Sequence, residues 1–113
     1  MALALNIFQT IAETISTSAT EIYEAPVGYT GVVLLAQVTN IGTVSRDITL
    51  YHRRSVGGSN VDTQMLKNYP ISASDTANLL TGKLVLESGD KIVILGSDSA
   101  DLQVVISILE TLN

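Results

Sequence analysis

The chain has 113 residues, 46% of them apolar and only 15% charged, with eleven acidic against six basic side chains and a net charge of −5. That length fits one domain with one hydrophobic core, and the apolar share excludes a disordered chain. The acidic balance argues against nucleic acid and anionic membranes as partners, and the low charge content points to a surface partly covered by another protein.

No cysteine is present, so neither a disulfide nor a thiolate metal site is available, which fits an intracellular folding environment. The opening Met1-Ala2-Leu3-Ala4-Leu5 has no basic region ahead of it and is broken by Asn6 and Gln9, so no signal peptide is expected. No apolar run approaches the roughly 18 residues of a membrane span, and a soluble protein is expected.

In chain order, Leu3, Leu5 and Ile7 alternate with small or polar residues, and Phe8, Ile11 and Ile15 follow at near-helical spacing. Thr10, Thr14, Ser16 and Thr17 favour strand or loop over helix. Residues 1–17 therefore read as a strand and arm that packs on a neighbouring subunit, ahead of a single β-sandwich domain over 18–113. Thr20 to Glu24 alternates as a strand and stops at Pro26, with Gly28 supplying the turn. Gly31 to Asn40 is a strand whose first half is continuously apolar, as if covered on both faces. Arg46 to Arg53 pairs with it naturally as a hairpin, with Ile48, Leu50 and His52 on one face and Asp47, Thr49, Tyr51 and Arg53 on the other. This alternation also splits the one basic cluster, His52-Arg53-Arg54, across two faces.

Ser55 to Asn60, with Gly57-Gly58, reads as the most flexible loop. Val61–Leu66 and Tyr69–Ala73 are weaker strands punctuated by Asn68 and Pro70. Ser74 to Leu80 reads as a strand in preference to a helical turn. Lys83–Leu86, Lys91–Leu95 and Leu102–Glu110 complete the set. Strands at intervals of about 8–12 residues with turn signals between them predict an all-β, antiparallel β-sandwich with jelly-roll or Greek-key connections.

Signs of catalysis are scarce. His52 is the one histidine, and no nucleophile elbow or phosphate-binding glycine pattern occurs. Asp98 and Asp101 with Ser97 and Ser99 offer oxygen ligands of the kind calcium takes, but their spacing is not that of an EF-hand and a solvated turn is the plainer reading. Tyr29, Tyr51 and Tyr69 could stack on sugars, although tryptophan, the preferred platform residue, is absent. No enzyme activity, cofactor or metal is expected.

The order of several pieces resembles small virion proteins of tailed bacteriophages: Ile22-Tyr23-Glu24-Ala25-Pro26-Val27-Gly28, the Val38-Thr39-Asn40 turn, Asp47-Ile48-Thr49-Leu50-Tyr51, Leu84-Val85-Leu86-Glu87-Ser88-Gly89-Asp90-Lys91-Ile92 and the final Val104 to Glu110. The resemblance spans roughly residues 20–110. It implies a β-sandwich or jelly-roll virion part assembled in the host cytoplasm, foremost a capsid decoration (cement) protein, often trimeric, bound to the major capsid protein or other virion proteins. A tail, baseplate or fibre component is the alternative within the virion, and a host-glycan-binding module the alternative outside that class. The expected contact residues are Ile7, Phe8 and Ile11 in the arm and Val32, Val33, Leu34 and Leu35 on the long apolar strand.

Overall fold

A computed structural model describes residues 5–113. Nine strands follow one another: β1 (Asn6–Thr14), β2 (Thr20–Glu24), β3 (Tyr29–Asn40), β4 (Arg46–Val56), β5 (Ser59–Ile71), β6 (Thr76–Asn78), β7 (Leu84–Leu86), β8 (Lys91–Gly96) and β9 (Leu102–Leu112). They form two antiparallel sheets, one ordered β1-β9-β3 with β6 and β7 both on the far side of β3, the other ordered β2-β8-β4-β5. The chain changes sheet at every connection except the β4–β5 hairpin and the β6–β7 continuation. With β6 and β7 acting as one interrupted strand, this is the eight-stranded jelly-roll order built of two Greek keys.

The core lies between the sheets and follows from strand alternation. In β9, Leu102, Val104, Ile106 and Ile108 are buried while Gln103 and Val105 are exposed. They meet Ile48, Leu50, Ile92 and Ile94 from the opposite sheet. Each such side chain contributes about 1.5–3 kcal/mol by leaving water. Asn40, fully buried at one end, is satisfied by local backbone: its side chain donates to Val44 O (2.8 Å) and Ile71 O (3.0 Å) and accepts from Gly42 N (2.9 Å). This ties the β3–β4 connection to the end of β5.

Three expectations change in detail. The chain itself covers the apolar run in β3 on one face only, leaving any cover of the other to a neighbouring subunit; its register slips between Val33 and Leu35, so Leu34 and Leu35 both point outward between buried Val33 and Ala36. A bulge with its extra residue produces a continuous apolar string without a second buried face. The strand beside β3 is β9, not β4, which lies in the other sheet. The expected flexible loop is a tight hairpin turn at Gly57 and Gly58, with φ of 59° and 84°, the left-handed conformation a two-residue turn demands.

The two weak strands around 61–73 are one, β5, carried past Asn68 by a left-handed residue (φ 49°) whose N–H donates to Thr49 Oγ1 at 3.1 Å. Pro70 is tolerated because β5 is an edge strand. From Asn6 onward, the segment expected as strand and arm is built into the first sheet: β1 pairs with β9 along its whole length and Ile15 enters the core. Its first residues, 1–4, lie outside the described residues.

Candidate assembly surface

The two outer faces of the sandwich differ sharply in chemistry. On the first sheet, register places Phe8, Leu109, Val32 and Val85 directly opposite one another, an apolar row crossing β1, β9, β3 and β7. The next row joins Thr10, Ser107 and Leu35, with Leu34 at the bulge beside it, and the following one joins Ala12, Val105, Gln37 and Asn78. Thr14, Gln103, Thr39 and Thr76 form the last. Among the paired residues of these four rows none is charged; exposed Lys83 and Glu87 flank them at the two ends of β7. Phe8 is 73% exposed and Val85 56%, with Leu34, Leu35 and Val105 all close to 40%. Scattered apolar side chains are normal on a surface; a contiguous apolar row bordered by uncharged polar rows makes this face the candidate contact surface.

The second sheet carries its charges across the corresponding face. Arg53 on β4 donates to Asp62 on β5 (2.7 and 3.1 Å) and to Glu21 on β2 (3.0 Å), and Lys91 on β8 lies 3.5 Å from the same Glu21. The Arg53 guanidinium sits 6.0 Å from the centre of the Tyr51 ring. Exposed pairs of this kind stabilise the fold little, because solvent screens them. Their larger effect is to keep this face solvated.

Two polar clusters close one end of the sandwich. Asp90, almost fully buried, accepts from Arg54 Nε (2.9 Å), Arg54 Nη2 (2.6 Å) and Glu87 N (3.0 Å), and pairs with His52 Nε2 at 3.0 Å. The Arg54 bonds outweigh burial and hold its carboxyl down at about 2. Near it, Glu110 is buried on the inner face of β9 and accepts from Tyr23 Oη (2.5 Å) and Gln9 Nε2 (2.6 Å). Burial first, then the Glu110 carboxylate, pushes the Tyr23 phenol above its ordinary value. This pair lies in a groove of about 470 Å3 between β1 and β2, lined by Gln9, Ile11, Tyr23, Glu24 and Pro26 among others.

Neither cluster offers free chemistry. The Asp90 carboxylate is saturated by donors, and the Glu110 carboxylate is shared between two. Asp98 and Asp101 are engaged as well: Asp98 accepts from the N–H groups of Ala100 and Asp101 (both 2.9 Å), and Arg46 bridges the two carboxylates at 3.5 and 3.0 Å. Among the described residues, no group of three or more His, Cys, Asp or Glu is placed to hold a metal ion. The tyrosines do not share a platform, since Tyr29 is buried in the first sheet while Tyr51 and Tyr69 lie in the second.

The seven expected contact residues divide by strand phase. Phe8, Val32, Leu34 and Leu35 lie on the outer face, in or beside its uncharged rows. Val33 is wholly buried in the chain's own core and has no surface to offer a partner, which corrects its place in that set. Ile7 and Ile11 stand in the inward phase of β1, opposite Glu110 and Ile106, with Ile11 packed on the core. Val85, Val105 and Leu109 belong to the face and escaped the sequence reading, because pairings between strands far apart in the chain, from Val32 with Val85 to Phe8 with Leu109, unite them. One signal for them was present: the outward phase of β9, from Gln103 to Thr111 by alternate residues, holds no charge.

The fold and this face define a jelly-roll domain with one solvated side and one side suited to contact. No protein-family model matches the sequence, and no curated protein matches it. Two solved structures share the fold. One is from a study of Bacillus endospore appendages described as a novel family of disulfide-linked pili, at 18% identity and a TM-score of 0.51, covering 100% of this chain and 97% of that one. The other is the acidic stable capsid of Helicobacter pylori bacteriophage KHP30, at 10% identity and a TM-score of 0.57, covering 96% of this chain and 89% of that one.

Proposed function

We propose that this chain is a non-enzymatic structural subunit of a virion, and within that class a capsid decoration protein seated on the major capsid protein. The observation that carries the assembly reading is the set of uncharged rows across the outer face of the first sheet, four strands wide, on a domain whose opposite face is crossed by ion pairs. The likeness of the fold to chains from a phage capsid and from a pilus supports a role in a large assembly. Disulfide linkage of the pilus kind is not open to a chain without cysteine. The resemblance of the order of its sequence pieces to small tailed-phage virion proteins is what favours the virion over the pilus in this reading.

The contact would work by burying Val32, Leu35, Val85 and Leu109, with lattice-wide avidity compensating a modest area per copy. Leu35→Lys and Val85→Lys each place a charge in the middle of that face at exposed positions. Co-sedimentation with capsid shells stripped of this protein should fall at least tenfold in affinity for both variants, with thermal unfolding little changed. Unaltered binding by both variants would remove the face from the contact, and no binding by the unaltered protein would remove the decoration role. In the latter case a tail, baseplate or fibre position follows, which copy number per virion reads directly: a dozen or fewer in place of hundreds.

A further inference from the structure

A sheet edge is ordinarily blunted by some device against uncontrolled pairing, and among the described residues one edge here carries a single charge and no other such device. β2 is five residues long, carries Glu21 and Glu24, and is bulged between Glu21 and Tyr23. β5 has two register shifts, the left-handed Asn68 and Pro70. The β6–β7 edge is two pieces of three residues each. β1 alone is long and regular: nine residues, an unbroken register with β9, no proline or glycine, and Glu13 as its one charge.

The hydrogen bonds at its two ends show which groups are free. Leu112 N donates to Leu5 O and Ile15 N donates to Leu102 O, both at 2.8 Å, and the register between them is continuous. In an antiparallel ladder alternate residues bond to the neighbour. The odd-numbered residues of β1 therefore face β9, and Asn6, Phe8, Thr10, Ala12 and Thr14 direct their N–H and C=O groups outward at the open edge.

We propose that β1 pairs antiparallel with β1 of a second copy about a two-fold axis at Thr10. This goes beyond the decoration reading and rests on none of its contacts. The five outward-directed residues are centred on Thr10, so the pairing sets Thr10 against Thr10, Phe8 against Ala12 and Asn6 against Thr14, satisfying every free group on both strands with about ten hydrogen bonds. The exposed Phe8 ring meets the smallest side chain of the strand. Glu13 falls opposite Ile7 of the second copy, so the two acidic groups stand at opposite ends. The first sheets join into one ten-stranded sheet whose outer rows stay free of charge across both copies. Such a contact is isologous and closes at two copies, in place of the trimer that the phage resemblance implies.

Thr10 opposes itself only in this arrangement, which makes the test specific. Light scattering over a range of concentrations should give the unaltered protein twice the 12.0 kDa of one chain. Thr10→Lys and Thr10→Glu each set like charges face to face and should each weaken the dimer by roughly fivefold or more. An equimolar mixture of the two should regain it as a heterodimer. Thr10→Pro, which removes an N–H that β9 does not use, should be monomeric with its circular dichroism retained. A monomer or trimer of the unaltered protein would overturn the proposal, as would failure of the mixture to recover association. If Leu35→Lys and Val85→Lys abolish self-association and the Thr10 variants do not, the copies meet through the face and the edge pairing is wrong. Loss of capsid binding with the dimer intact leaves this proposal standing and concerns the decoration contact alone.

Discussion

Asp90 shows how a buried charge is kept in a small domain. Arg54 and His52 come from β4, two positions apart and so on one face, and the carboxylate arrives from the tight turn before β8. A carboxyl whose folded value lies below its ordinary 3.8 stabilises the fold above that pH and loses the contribution as pH falls. For a value of about 2, the contribution is about 2 kcal/mol at neutral pH and vanishes between about pH 4 and 2. Asp90→Asn should cost roughly 2–3 kcal/mol at pH 7, because it leaves Arg54 and the backbone donor poorly matched. Urea unfolding at several pH values should also show a shallower acid limb for the variant. At the neighbouring cluster, Gly31 makes room for the Tyr23 ring: a Cβ there would lie 2.9 Å from Tyr23 Oη and 3.2 Å from Cε2. Gly31→Ala should destabilise by about 1–3 kcal/mol. Tyr23→Phe should relieve part of that, a coupling that a double-mutant cycle in thermal unfolding measures.

Among the elements, legibility tracked burial. β9 alternates because one phase is packed, β4 alternates in residue type around buried Ile48 and Leu50, and β8, buried at Ile92, Val93 and Ile94 in succession, is legible as a short apolar run. β5 is exposed along nearly all of its thirteen residues, so no apolar phase marks it, and its two irregular residues look like breaks. Pairing was harder still: the β3 bulge turns a local pattern into a sign of two-sided cover that the chain itself does not provide, and nothing near β3 in the chain announces β9 as its neighbour. The β4–β5 hairpin depends on its turn. Gly58 at φ 84° would force a Cβ into the left-handed region, and Gly58→Ala should cost about 1 kcal/mol in thermal unfolding. Gly57→Asn should cost less, since Asn tolerates that conformation.

At the scale of the molecule, charge distinguishes the two faces, and that division is what the proposed assembly role rests on. The sequence announced a low charge share but not its one-sidedness, because the face draws on five strands. Arg53, Glu21, Asp62 and Lys91 gather on one side, while the rows paired across the other side hold only apolar and uncharged polar residues. Phe8 and Leu35 were within reach of a sequence reading as apolar residues in strands. Their union with Val85 and Leu109 was not, since it needed the jelly-roll order.

The pairing of the first strand with the last also governs how the chain is made. Asn6 meets Thr111 and Thr14 meets Gln103, so during synthesis β1 leaves the ribosome long before its partner exists. Until then both of its edges are open, and a neighbouring nascent chain on the same message is the nearest strand of matching sequence. With so many contacts between distant parts of the chain, folding belongs to the slow millisecond-to-second class. The strand proposed above to pair in the finished molecule is thus the one most exposed to mispairing before it, and expression at low temperature and modest rate is the regime that protects it.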